Sequence, residues 1–167
     1  MEPRDLIDHA KAIVRSEKSR PKQVTLRRAI SASYYGLFHA LLKAAADDLV
    51  GATRHARRSP AYRLVYRGFD HGDMRNLSTA AAKDTLPKKL VEALGASQFS
   101  GSIQVVADRF ARLQQDRHLA DYDPQVRFTK SDATLAIERA VIAMSFFAAA
   151  EEEDRRNFLL CMLLPVR

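Results

Sequence analysis

Arg28, Ala32, Tyr35 and His39 fall within one narrow stripe if their segment is helical, at about 100° per residue. Ile30, Tyr34, Leu37 and Leu41 form an apolar face on the other side. Gly36 and Ala40 lie close to the polar stripe and leave it sterically open. Such a helix touches a core on one side and offers a guanidinium, a phenol and an imidazole to a site or a subunit on the other. The same residues equally suit a buried helix in which Tyr35 and His39 find local hydrogen-bond partners.

Two further groups carry chemistry. Arg54, Arg57, Arg58, Arg63 and Arg67, with His55, are interleaved with Tyr62 and Tyr66. That composition suits phosphate contacts beside stacking rings, and equally a solvated loop and helix face. Arg117 and Asp121 stand at i and i+4, the spacing of a helical ion pair, with Tyr122 placed to pack a chain reversal. The histidines at 9, 39, 55, 71 and 118 show no metal-ligand spacing, and Cys161 is the single cysteine. No metal site, cofactor or disulfide is therefore expected. Neither a glycine-rich phosphate loop nor a nucleophile elbow is present.

The elements that position these residues read as helices throughout. A first helix is predicted from about Pro3 to Ser19 and a second from about Val24 to Leu49, closed by Gly51. Ser59-Pro60 reads as cap and first residue of a third, Ala61 to Phe69. Asp70 to Asp73 reads as a turn, before short helices over Met74 to Lys83 and Leu86 to Leu94. A long helix is predicted from about Ser102 to His118, broken at Tyr122-Asp123-Pro124. The last starts near Thr129 or Ser131, with Asp132 in its first turn, and either runs to Leu164 or bends near Glu151 to Asp154. The expected fold is all-α, one domain over 1–167, a bundle of about five main helices. Residues 151–167 either extend the last helix or dock as an apolar tail.

Apolar residues at 47% and charged residues at 28% describe a globular chain rather than a disordered one. The net charge of +7 leans toward a polyanionic partner, and arginine, the better bidentate phosphate ligand, outnumbers lysine. No apolar run is long enough for a membrane span and no secretory signal is visible, so a cytoplasmic location is expected.

The run Arg28-Ala29-Ile30-Ser31-x-Ser33-Tyr34-Tyr35-x-x-Phe38-His39-Ala40 resembles the signature helix of HEPN-type domains. Phe69 with His71-Gly72, and Arg117-His118-Leu119-Ala120-Asp121-Tyr122-Asp123-Pro124, resemble later elements of an uncharacterised prokaryotic branch of that superfamily. The likeness covers about Asp5 to Ala150. It implies a helical bundle that forms homodimers and binds RNA or a nucleotide. Several members of the superfamily are metal-independent endoribonucleases in toxin–antitoxin or defence systems, often paired with a nucleotidyltransferase-like antitoxin, so the resemblance implies an RNA-binding or an RNA-cleaving domain.

The HEPN catalytic motif is an arginine, four to six residues, then a histidine. Arg112 and His118 meet it at the expected place. In that role His118 would take the 2′-OH proton, and Arg112 or Arg117 would hold the phosphorane. Arg28, Tyr35, His39, Arg117, Asp121 and Tyr122 are the expected substrate-binding residues. Arg4 and His9 meet the same spacing elsewhere, and Leu113 stands where active members carry a polar residue. The alternative is a non-catalytic module that binds a nucleotide or a protein and dimerises.

Overall fold

The computed structural model describes residues 2–17 and 20–164. They form α1 (Pro3–Ser16), α2 (Gln23–Val50), a 3-10 turn (Ala56–Arg58), α3 (Pro60–Arg67), α4 (His71–Ala81), α5 (Lys88–Leu94), α6 (Gly101–Tyr122), α7 (Lys130–Ala149) and α8 (Glu152–Leu163). Among the described residues there is no strand. The all-helical expectation holds, but the helices among these residues number eight rather than about five. The short α3, α4 and α5 stand between residues 60 and 94, and the last predicted helix is two.

Local chemistry explains most boundaries. Pro3 opens α1, which ends at Ser16; the predicted end at Ser19 lies outside the described residues. Gly51 follows α2 at φ +116° and Gly95 follows α5 at φ +67°, conformations that glycine adopts without strain. Ser59 accepts from the Tyr62 amide and Pro60 takes the first position of α3. Asp70 is not a turn residue as expected. Its carboxylate accepts from the amides of Gly72 and Asp73, so α4 begins at His71 rather than Met74. Thr129 and Asp132 cap α7 reciprocally. Thr129 Oγ1 accepts from the Asp132 amide, and Asp132 Oδ2 accepts from the Thr129 amide. The break at Ala150-Glu151 is held by Arg155, whose Nη1 donates to the carbonyls of Ala148 and Ala150. Glu152, Glu153 and Asp154 then suit the positive end of α8.

The chain divides into two compact units, Met1–His39 with Arg109–Ser145, and Ala40–Asp108 with Phe146–Arg167. Helices α2, α6 and α7 supply residues to both. The core of the first unit is built from Ile7, Ala10 and Val14 of α1, Leu26, Ile30, Tyr34 and Leu37 of α2, Phe110 and Leu113 of α6, and Ala133, Ala136 and Ala140 of α7. Gly36 lets α1 approach α2, since a Cβ there would stand 2.5 Å from Ile7 Cδ1 and 2.9 Å from Ile7 Cγ1. In the second unit Leu41, Leu42, Met74, Phe99, Ile103, Phe158 and Met162 are buried. The apolar tail thus docks on its own unit. Phe158 meets Phe99 edge-on at 5.6 Å, and Leu163 lies against Gly68.

Among the described residues no helix is long and apolar enough to cross a membrane.

Candidate functional site

The first unit is organised around a polar ridge along α2. Gln23, Arg27, Ser31 and Tyr35 recur every four residues, the i±4 row that packs against a neighbouring helix. Each reaches α6 or the loop after it. Gln23 Nε2 donates to the Phe128 carbonyl at 2.7 Å, and its Oε1 accepts from the Phe128 amide at 2.9 Å. Arg27 Nη1 donates to the carbonyls of Leu119 and Ala120 at 3.3 and 2.8 Å. Its Nη2 donates to those of Asp123 and Val126 at 2.8 and 2.5 Å, and its guanidinium lies 5.5 Å from the Phe128 ring centroid. A cation at the C-terminal end of α6 meets the Ala120 carbonyl, one of the helix's last four, and that of Leu119, which also accepts from the Asp123 amide at 3.1 Å. Ser31 Oγ donates to Asp121 Oδ1.

Tyr35 completes the row. Arg117 Nη2 donates to Tyr35 Oη at 2.6 Å, and Arg117 Nε stands 2.7 Å from Asp121 Oδ2. The guanidinium is 5.3 Å from the ring centroids of both Tyr35 and Tyr122, and 5.8 Å from that of Tyr34. Burial works against its charge, but the Tyr35 hydroxyl and Asp121 outweigh it and hold its pKa above the ordinary value. The expected Arg117–Asp121 ion pair is therefore formed, and Arg117 is held by a ring cage. Farther up α6, Arg139 Nη1 binds Asp116 Oδ2 at 2.6 Å. Burial raises the Asp116 carboxyl despite that partner.

Beside this ridge lies an open cleft of about 580 Å³, lined by Leu6, His9, Val24, Arg27, Arg28, Ser31, Ala32, Tyr35, Ala120 and Asp121. Of the residues expected to bind substrate, Arg28, Tyr35 and Asp121 line it. His39, Arg117 and Tyr122 do not. His39 stacks on Tyr35 at 6.2 Å, and Tyr122, 64% exposed, tilts against His118 at 5.2 Å. Arg28 and His9 are exposed at the cleft, next to the apolar surfaces of Leu6, Val24 and Ala32.

Arg112 and His118 are both exposed and stand outside the cleft. Helix α6 runs unbroken to Tyr122, beyond the predicted end at His118. Six helical steps leave the two residues about 120° apart around the axis. Within one chain they share no face. Leu113 is fully buried, so the residue after Arg112 serves the core.

Sequence reading singled out Arg28, Ala32, Tyr35 and His39 and missed the rest of the row that Tyr35 completes. Arg27 and Ser31 are its principal omissions, with His9, Leu6 and Val24 at the cleft wall. The signal present was the repeat of Gln, Arg, Ser, Tyr and His at steps of four along α2. Among the described residues, no cluster of three or more His, Cys, Asp or Glu side chains is placed to hold a metal ion.

No family model, curated protein or solved structure matches this chain.

Proposed function

We propose that this chain is a HEPN-type helical domain that dimerises and binds RNA, with the α1–α2 cleft taking one nucleotide unit. The cleft carries the reading. It sets the exposed Arg28 guanidinium and His9 beside an apolar wall of Leu6, Val24 and Ala32, with Tyr35 also in its lining. A phosphate suits the guanidinium and a base suits the wall, while Ser31 and Asp121, bonded to one another, form the polar side of the cleft. Arg27 and Arg117 are occupied by carbonyls and by Tyr35 and Asp121, so their part is to hold the cleft's frame.

The test is binding of labelled single-stranded RNA by the wild-type protein and by Arg28→Ala. A loss of affinity of tenfold or more is expected, which is about 1.4 kcal/mol, the scale of one charged hydrogen bond. Unchanged affinity would refute the cleft as the binding site.

A second reading, a metal-independent ribonuclease, is favoured by one observation: Arg112 and His118 are both exposed. A second copy of the chain could then bring one residue to the other. Incubation of end-labelled RNA with the protein in EDTA, beside His118→Ala, separates the readings. Cleavage by the wild type alone supports the enzyme. Binding without cleavage supports the binding domain.

A further inference from the structure

The arginines of the second unit's basic segment divide into two sets. Arg57 is fixed: its Nε and Nη2 bind Asp47 Oδ1 and Oδ2 at 2.8 and 2.6 Å. Tyr62, buried, donates from its hydroxyl to the same Asp47 Oδ1 at 3.0 Å. This bidentate clamp ties the 3-10 turn and α3 to α2. Arg54, Arg58, Arg63 and Arg67 are the other set. All four are exposed, and among the described residues none of them enters an ion pair. From Gly51 to Phe69 the chain has no acidic residue. Arg63 and Arg67 are one helical turn apart on α3, an axial step of about 6 Å.

We propose that this ridge, from Arg54 through Arg58 to Arg63 and Arg67, is a second nucleic-acid contact that tracks the phosphate backbone of an RNA strand. The choice of RNA rests on the function proposed above; the ridge itself is argued from its unneutralised charge. Four guanidiniums with no carboxylate to neutralise them, on a segment already held in place by Asp47, form a ready site for a chain of phosphates. The reading with stacked bases is narrowed: Tyr62 is buried and its hydroxyl is taken, which leaves only the half-buried Tyr66, stacked on Tyr62 at 6.2 Å, to meet a base. The ridge reads charge rather than sequence. An anionic membrane is disfavoured. Leu64 is 74% exposed. It is the one large apolar side chain strongly exposed along the ridge among the described residues, and it gives little surface to insert.

The experiment uses the full chain and a fluorescent uridine oligomer, with anisotropy followed across sodium chloride concentrations. The quadruple variant Arg54→Gln, Arg58→Gln, Arg63→Gln, Arg67→Gln is compared with wild type and with Arg28→Ala. Since all four side chains are exposed, its thermal midpoint stays at the wild-type value. Losing four phosphate contacts is expected to lower the steepness of log K against log salt by about 3, at roughly 0.7 per contact on a single strand. Binding of uridine monophosphate, which reports on the cleft, stays as in wild type.

An unchanged salt slope in the quadruple variant overturns the ridge and leaves the cleft reading standing. A slope lowered by the quadruple variant, with Arg28→Ala indistinguishable from wild type, supports the ridge and removes the cleft. Failure of the wild type to bind the oligomer at low salt overturns the ridge as an RNA contact. Binding instead to phosphatidylserine vesicles, abolished in the quadruple variant, would assign it to a membrane surface and overturn it as an RNA contact.

Discussion

Four carbonyls converge on the Arg27 guanidinium, and no neutral side chain offers that many donors in one plane. Arg27→Ala is expected to destabilise the fold by about 3 kcal/mol, since it takes their donor from the partly buried carbonyls of Ala120, Asp123 and Val126. Urea denaturation checks this, with a lower midpoint and an unchanged slope. Tyr35→Phe removes a single hydroxyl acceptor from Arg117 and is expected to cost about 1 kcal/mol in the same experiment. A larger loss for Tyr35→Phe than for Arg27→Ala would contradict the assignment of Arg27 as the principal clamp.

At the scale of elements, α1 and α2 meet through Gly36. Alanine would gain helix propensity, but its Cβ collides with Ile7, itself 3% exposed. Overpacking of about 1–3 kcal/mol exceeds the propensity gain of about 1 kcal/mol, so Gly36→Ala is expected to lower stability. Pairing it with Ile7→Val, which shortens the colliding side chain, recovers part of the loss. Additive destabilisation in thermal unfolding would show that the contact does not limit the approach. Helix α7 offers a different test. Leu135 and Ile142, seven residues apart and so about 20° apart around the helix axis, are 43% and 40% exposed. They are large apolar side chains that their own unit leaves uncovered. The proposed homodimer places that face at its interface, so Ile142→Asp is expected to yield monomers in sedimentation. An unaltered mass would move the interface elsewhere.

Over the whole molecule, acid sensitivity follows from the carboxylates. Burial pushes Asp47 up, but the Arg57 and Tyr62 hydrogen bonds and the Arg57 charge bring it below its ordinary value. The hydrogen bond from Arg156 lowers Asp48 likewise. Folded-state values below the unfolded ones mean that this stability is fully present above about pH 4. It is lost as the pH falls through the depressed folded values. Asp116, raised chiefly by burial, works in the opposite direction and gains stability as it protonates. The net expectation is a fall in thermal midpoint below about pH 4, weakened in Asp47→Asn. An Asp47→Asn profile with the wild-type slope would remove Asp47 from the account. Burial and Asp47 also push Tyr62 up to about 12, so this phenol stays protonated throughout that range.

The helical class, most boundaries and the capping of α3 and α7 were legible in the sequence, because caps, glycines and apolar periodicity act within a few residues of chain. Ser59, Thr129, Gly51 and Gly95 needed no tertiary context. The Arg117–Asp121 pair was legible for the same reason, being one helical turn apart. The site was legible only in part. Arg28 and Tyr35 could be placed on one face, but Arg27 and Ser31 take their meaning from groups far away in the chain, at Ala120 and Asp121. Nor could spacing show which arginines are occupied. Arg27, Arg57 and Arg117 look like Arg28, Arg58 and Arg63 in composition, and differ only in the carbonyls, rings and carboxylates that packing brings to them. Whether Arg112 and His118 meet within one chain was likewise decided by the unbroken length of α6. Local backbone preferences set the helices; only their packing decided which charges the fold uses for itself and which it leaves exposed.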